Sequence, residues 1–510
     1  MKKVYHILFI FTTVCLWSSC ANLDLDPLDT GSRDSWYSSE DEIQRSIGGL
    51  YRTVFFTLNG NESTIDYSPW SDDNQSRASL NFITGGTING ESDQVKKRWQ
   101  NGYKAIARAN ILLEKLEDAN SVGISEEKKQ LYRAQTLFVR ATQYAILTSL
   151  FGDVVYIDKE ISIDEAFEMG RTDREEVMEN VYKDLDEAAH YLPETYGTQR
   201  EFATKGAAYA IKARYALYNE DWELAAQAAK KCMDLQIYEL HPDFEELFIA
   251  STHHAKENIL SWPRSVELKN YLDVGAAMSY CPRNRGGYAS EYPSWELFCS
   301  FLCTDGLPID ESPLFDPQNP FKNRDPRCTA TIVEFGTEHV GVIYNPNPNI
   351  SRVWSAIAGK EITNLDCKTG SQYASYNGLL RKKGVDELWI NDGTFKVDPD
   401  FVFIRYGEVL LTYAEAKIEA NDIDQSVLDA INQVRARAYK KDYAAATGYP
   451  KVTTQDRDKL RQIVRIERRM ELAFEGSIRY MDIIRWKLAE KVLNLPCLLY
   501  TSPSPRDTER

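Results

Sequence analysis

What most constrains this chain is a division in its hydrophobic periodicity. Two blocks, 95–236 and 404–493, repeat apolar residues at three- and four-residue steps, whereas the stretch 238–399 between them does not. The first block resolves into amphipathic segments at Arg98–Asp118, Ser125–Phe151, Arg174–Leu192, Thr204–Asn219 and Asp221–Gln236. In the second of these, Leu131, Ala134, Phe138, Ala141 and Ala145 place small and large apolar groups on one stripe. Ser125 is suited to cap that helix through its hydroxyl, and Glu126 and Glu127 put negative charge where the helix dipole favours it. Lys128 stands where a capping box needs Glu or Gln, so the reciprocal half of that motif is absent. Asp221 occupies the N-cap place ahead of Trp222, Ala225, Ala226 and Ala229. Short turns such as Asn219–Asp221 predict antiparallel helix pairs with tetratricopeptide-like packing, of a period too loose for a regular array. The second block predicts helices from Ile404 to about Ala420, over Asp424–Lys440 and over Gln455–Leu493. The expected fold class is mostly α: helix pairs forming a scaffold, with an irregular loop-rich part carrying short strands.

That irregular part is 238–399, with a smaller region of the same character at 59–94. It holds most of the prolines and a high density of rings, among them Tyr271, Tyr280, Tyr288, Tyr292, Trp295, Tyr344, Trp354, Tyr373, Tyr376 and Trp389. The chain is 12% aromatic with 29 Tyr and 10 Trp, so the surplus demands an explanation. Long irregular segments in a compact protein are uncommon unless functional, and loops on a rigid scaffold are where binding residues tend to sit.

Charge excludes one class of partner. A net charge of −16 argues against nucleic acid, whose phosphates a binding surface must neutralise. Between the chain ends, Cys232, Cys281, Cys299, Cys303, Cys328 and Cys367 are too sparse for a disulfide scaffold and read as buried thiols or one or two bridges. Cys299 and Cys303 are four apart, but no second pair or His cluster completes a metal site, and no cofactor motif is present.

The ends read differently. Lys2 and Lys3 precede an apolar run from Val4 to Trp17, too short to span a bilayer, and Ser18 and Ser19 then precede Cys20; residues 1–19 are expected to be a secretory signal. The run resembles a bacterial lipobox, with Trp17 in the customary leucine position, which implies acylation of Cys20 and membrane anchoring. At the other end, the string CLLYTSPSPRD at 497–507 matches the read-through translation of a sequencing adapter, so 497–510 are expected to be an artefact standing in place of the native C-terminus.

Several stretches, in order, resemble the SusD/RagB family of outer-membrane nutrient-binding lipoproteins. They are Arg140 to Tyr144 with LFGDVVY ending at Tyr156, TKGAAYAIKARY from Thr204, TDGLP from Thr304 and Asp325–Arg327. RYGEVLLTYAEAK from Arg405, NQVRARA from Asn432, ERRMELAFEG from Glu467 and DIIRW from Asp482 follow. Val155 replaces the proline usual in the family turn. The resemblance covers Cys20 to Leu493 and implies a single domain over 20–496 with a tetratricopeptide-like scaffold. It also implies a non-enzymatic role: a lipid-anchored lid on the outer face of the cell, over a TonB-dependent SusC-like transporter, capturing oligosaccharides, or in some members peptides.

Sugar capture would explain the rings. Pyranose C–H faces stack on Trp and Tyr while their hydroxyls need polar partners around the stack. Two clusters combine these types: Tyr67, Trp70, Asp72, Asp73, Asn74 and Arg77; and Tyr280, Arg283, Asn284, Arg285 and Tyr288, with Gly286 and Gly287 permitting close backbone approach. Trp354 beside Arg352 is a third candidate. A helical glycosidase would instead need two carboxylates about 5–10 Å apart. Glu467, Glu471 and Glu475 lie on one helical face, but beside Arg465, Arg468 and Arg469 they read as an ion-pair network, as do Glu408 and Glu415 on the helix with Arg405 and Lys417. A helix-groove adaptor for proteins would carry the same apolar stripes, so the helices alone do not separate that alternative from nutrient capture.

Overall fold

A computed structural model describes residues 36–57, 70–77, 83–117, 123–197, 201–385 and 393–493. Cys20, the expected signal segment, Tyr67 and the 497–510 segment lie outside the described residues.

α1 (Glu40–Leu50), not expected from the sequence, precedes the first block, whose helices are α2 (Asp93–Glu117), α3 (Glu126–Phe151), α4 (Ile163–Glu168), α5 (Arg174–Tyr191), α6 (Lys205–Tyr218) and α7 (Trp222–Asp234). α2 packs on α3, α3 on α5 and α6 on α7, giving the antiparallel pairing expected from the short turns. Ser125 does cap α3, accepting from the Lys128 amide at 3.4 Å. Asp221 does not cap α7: its carboxylate accepts instead from the Tyr182 hydroxyl and from Asn219 Nδ2, tying the turn to α5. α3 is more deeply embedded than a one-stripe reading predicts, because its residues 134–148 are buried on every side. Its polar side chains are therefore paired internally. Arg140 grips Asp184 of α5 through two bonds of 2.8 and 2.9 Å, and Gln143 accepts from Arg98 of α2 at 2.6 Å.

The loop-rich middle carries α8 (Val274–Tyr280), α9 (Trp295–Ser300), α10 (Pro326–Thr331) and short strands. In chain order the strands are β1 (Asn74–Ser76), β2 (Asn258–Trp262), β3 (Glu291–Pro293), β4 (Thr337–His339), β5 (Val342–Tyr344), β6 (Arg352–Ser355), β7 (Lys360–Thr363) and β8 (Phe401–Arg405). β4 to β7 form one antiparallel sheet in sequence order, and β1 pairs with β3. β2 pairs antiparallel with β8, with Asn258 opposite Arg405 and Trp262 opposite Phe401. The two ends of the middle thus leave the scaffold side by side.

β8 is a strand where a helix is expected from Ile404; the chain turns helical at α11 (Tyr406–Glu419) and continues through α12 (Gln425–Ala438), α13 (Arg457–Leu472), α14 (Ile478–Arg485) and α15 (Ala489–Leu493). The single helix expected over 455–493 is therefore three. Phe401–Arg405 alternates β-branched and aromatic residues and pairs with β2, and that ladder overrides the helical pattern after it.

Glu467, Glu471 and Glu475 form an ion-pair network, as expected, but not with their sequence neighbours. Arg327 bonds Asp325 and Glu467 at 2.8 Å and Glu471 at 3.0 Å; Arg405 bonds Glu471 at 2.8 Å and Glu475 at 2.6 Å. Arg435 bonds Glu467 at 2.7 Å, Arg437 joins Glu471 to Glu257, and Lys383 bonds Glu475 at 2.6 Å. Five cations here meet five carboxylates, so the cluster is neutral and its desolvation is matched by close bonds. Burial pushes the Glu471 carboxyl up, but the Arg437, Arg405 and Arg327 guanidiniums outweigh it and hold the carboxyl well below the usual range. Arg468 and Arg469 turn away to other acids, Arg468 to Asp482 at 3.2 Å. Glu408 pairs with Arg214 and Glu415 with Arg485, rather than with Arg405 and Lys417. All six cysteines between the ends are free thiols.

Candidate functional site

β1 is the element that brings the two sequence clusters together. Its ladder with β3 pairs Gln75 with Tyr292, and the Arg77 amide donates to Ser290 O at 2.8 Å. Arg77 then reaches across the surface, its Nη1 donating to Tyr288 O at 2.7 Å and to Tyr373 O. Asn377 locks a third segment onto this ladder, donating to Gln75 Oε1 at 2.9 Å and Pro293 O at 2.7 Å. Beneath it the buried Tyr292 phenol, pushed up to about 12 by burial, bonds the Tyr376 backbone.

The resulting face presents Tyr288, Tyr373 and Tyr376, with 42%, 51% and 46% of their surface exposed. Three cations accompany the rings. Arg77 and Arg283 have their guanidinium carbons 5.3 and 5.8 Å from the Tyr373 centroid, and Lys368 Nζ sits 3.6 Å from that of Tyr376. Burial, with the neighbouring Arg77 charge adding to it, holds the Lys368 ammonium below its ordinary value.

The loop carrying Lys368 and Tyr373 is fixed to the loop carrying Arg283 by a reciprocal latch. Asp366 accepts from the amides of Arg283 and Asn284 at 2.6 and 3.2 Å, while Asn284 Oδ1 accepts from the Leu365 amide at 2.7 Å. Burial raises the Asp366 carboxyl to about 6, against the pull of those amides. Gly287 closes the turn itself: a Cβ there would stand 2.3 Å from Cys281 O, and Gly286 takes a φ of 92°. These glycines serve the turn rather than access to a ligand.

Other expected contacts are corrected by burial. Trp70, 9% exposed, packs edge-to-face on Tyr480 with centroids 5.6 Å apart, as part of the core. Asp72 takes both bonds from Arg479 at 2.8 Å and one from Arg469 at 3.0 Å, and Asp73 takes Arg469 at 2.8 Å. Burial pushes Asp72 up, yet the two guanidiniums prevail and hold it below the ordinary range. Both aspartates are anchors for α13 and α14, not sugar acceptors. Asn74 is tied to Glu291 at 2.8 Å. Tyr280, 1% exposed, lies under the Arg381 guanidinium at 4.7 Å, and Arg285 lies over Phe395 at 5.6 Å. Trp354 projects from β6 with 47% of its surface exposed, opposite Glu361 in the register.

Arg77, Arg283 and Tyr288 are thus the expected residues that the fold gathers on one face. Lys368, Tyr373 and Tyr376 were not among the expected contacts. Their signal lies in TGSQYASYNG from Thr369, where rings alternate with small polar residues as in the chosen clusters.

Two family models match the chain: "Starch-binding associating with outer membrane" over residues 23–217 and "SusD family" over residues 262–497. SusD-like protein P2 of Formosa agariphila is 27% identical over 96% of this chain and 92% of its own length. The crystal structure of a SusD-like carbohydrate binding protein from Bacteroides fragilis is 30% identical, with a TM-score of 0.75 over 89% of this chain and 88% of that one. A laminarin binding SusD-like protein shares the fold at a TM-score of 0.61 and 20% identity, over 90% of this chain and 93% of that one. With the scaffold, the loop-rich middle and the sequence all matched over nearly the whole length, this chain belongs to the SusD family.

Proposed function

We propose that this protein captures oligosaccharides at the cell surface through the face built by Tyr288, Tyr373 and Tyr376, and hands them to a TonB-dependent SusC-like transporter. The observation that carries this reading is the three half-exposed tyrosines held on one rigid face by Arg77, Asn377 and the Asp366 latch. Phenol rings fixed in this way offer apolar faces to pyranose C–H groups at little entropic cost. The carbohydrate-binding relative from Bacteroides fragilis, similar over almost its whole length, supports the ligand class. Acylation at Cys20 would hold the protein on the outer membrane, facing outward, in keeping with the family description of outer-membrane association. The role is binding without bond breaking. Glu467 and Glu471, with no exposed side-chain surface and bonded to guanidiniums, are not available as a glycosidase pair.

The test is titration of the protein against a panel of soluble polysaccharides and oligopeptides, following binding together with release of reducing ends or free amines. Saturable oligosaccharide binding without product is expected, and Tyr376→Ala should weaken it about tenfold. Trp70→Ala should instead cost about 3 kcal/mol of stability and leave affinity intact. Unchanged affinity in both Tyr288→Ala and Tyr376→Ala would remove the site assignment, and product release would overturn the non-enzymatic role.

A further inference from the structure

The charge of the tyrosine face runs against that of the molecule. The chain as a whole carries −16, and the arginines of the balanced cluster around Glu467 and Glu471 are each matched to carboxylates, although buried Arg324 is held by the carbonyls of Pro320, Phe298 and Phe301. Arg77, Arg283 and Lys368 are different: among the described residues none of the three is ion-paired. Their bonds go to carbonyls. Arg77 uses Nη1 on Tyr288 O and Tyr373 O, and Arg283 uses Nη1 on Gly287 O at 2.7 Å. Nε and Nη2 of Arg77, Nη2 of Arg283 and the Lys368 ammonium have no protein acceptor among the described residues.

Among the described residues, the side-chain acceptors expected to meet a neutral sugar hydroxyl are meanwhile committed elsewhere. Asp72 and Asp73 are held by Arg469 and Arg479, Asn74 is tied to Glu291, and Asn284 is engaged in the loop latch. Asp366 is buried beneath two amides. Among the described residues, what the face offers is therefore rings, phenol hydroxyls and cationic donors, a set matched to an anion that accepts without donating. Two of the cations also crowd each other, since the charge of Arg77 adds to the burial that already disfavours a proton on Lys368. A bound anion would relieve that repulsion.

We propose that the oligosaccharide taken by this face is anionic, its carboxylates or sulfate esters meeting Arg77, Arg283 and Lys368 beside the rings of Tyr373 and Tyr376. This assignment rests on the reading of the face as the glycan site. The field of the rest of the molecule repels polyanions, so acidic glycans bind here only by direct contact and not by general attraction.

The test titrates the full chain with two matched pairs: oligogalacturonate against its methyl ester, and a sulfated galactan oligosaccharide against its desulfated form. Hexaglutamate and a panel of neutral oligosaccharides serve as further arms. At least one acidic oligosaccharide should bind more tightly than its neutralised partner, and the pair that responds identifies carboxylate or sulfate. Its affinity should fall as salt is raised, because an exposed ion pair is screened once the Debye length drops from about 10 Å at 0.1 M toward about 3 Å at 1 M. Lys368→Gln, which breaks no hydrogen bond among the described residues, should weaken acidic binding by up to roughly fivefold and leave the melting temperature unchanged. Neutral forms binding as well as or better than acidic ones, with Lys368→Gln without effect, would overturn the anionic assignment while glycan capture stands. Hexaglutamate binding more tightly than every sugar would move the ligand to acidic peptides and overturn the proposal. Absence of binding to any oligosaccharide would overturn both readings.

Discussion

Arg327 has no exposed surface and bonds three carboxylates, on its own helix N-cap and on α13. Arg327→Leu would leave Asp325 without its partner and Glu467 and Glu471 under-neutralised in a site that water does not reach. A loss of roughly 3–5 kcal/mol is expected, measurable as a lower midpoint in denaturant unfolding. His339, on β4, is a second residue with a measurable signature. Its imidazole is 6% exposed with Nε2 unpartnered among the described residues, and burial, with Lys382 nearby, lowers its pKa from 6.5 to about 3. Between those values the unfolded chain binds a proton that the folded chain refuses, so stability present above 6.5 is lost as pH falls toward 3. His339 contributes a rise approaching about 1.4 kcal/mol per pH unit, which Asp366, raised to about 6, opposes below that value. His339→Leu should remove the His339 rise in urea titrations between pH 6.5 and 4, making the slope less positive. At this scale the sequence was legible for residue type but not for partner. That Glu467, Glu471 and Glu475 would be paired followed from their charge and spacing. Which arginines they meet did not, because Arg327 and Arg405 arrive from distant segments. The same gap explains Asp72 and Asp73, whose place among aromatic residues suggested sugar while Arg469 and Arg479 lay nearly four hundred residues away.

The helices of the first block were legible because a packed face imposes its period on sequence, and Ser125 caps α3 as its hydroxyl suggested. The short strands were not: β1 has three residues, too few to show an alternation, and its partner β3 is fixed only by the fold. Because β1 is what joins the two clusters, their meeting was equally hidden. The segment after β7 depends on one small residue. A Cβ on Gly370 would stand 1.7 Å from Asn364 O, so Gly370→Ala must displace the loop that carries Lys368 and Tyr373. The expected result is a loss of ligand affinity of about tenfold or more together with a lower melting temperature, since Asn364, Asp366 and Cys367 around the clash are buried. Unchanged affinity would show instead that the position of this loop does not matter for the ligand.

Across the whole molecule, depressed carboxylates tie segments together: Glu471 and Glu475 join the middle to the scaffold, and Asp482 joins α13 to α14. Burial raises Glu471, Glu475 and Asp482, but guanidiniums prevail at each and hold it below the ordinary range. Their contribution is fully present above the unfolded value near 4.5 for glutamate and is lost as pH falls through the lower folded values. Acid unfolding should therefore accelerate below about pH 4.5, and calorimetry should show middle and scaffold melting in one transition. Two separate transitions would mean that the network does not couple them.

The antiparallel pairing of β2 with β8 has a further consequence. Since the middle departs and returns at adjacent points, its length can change without moving either helical block, and loop closure grows only slowly with length. The loop-rich middle is in that sense an exchangeable cassette, which a lineage could swap or lengthen while the helices stay as they are. The exchange has two conditions: the incoming segment must bring an Asp-Arg plug like Asp325 and Arg327 for the buried glutamates on α13, and a cation like Lys383 for Glu475.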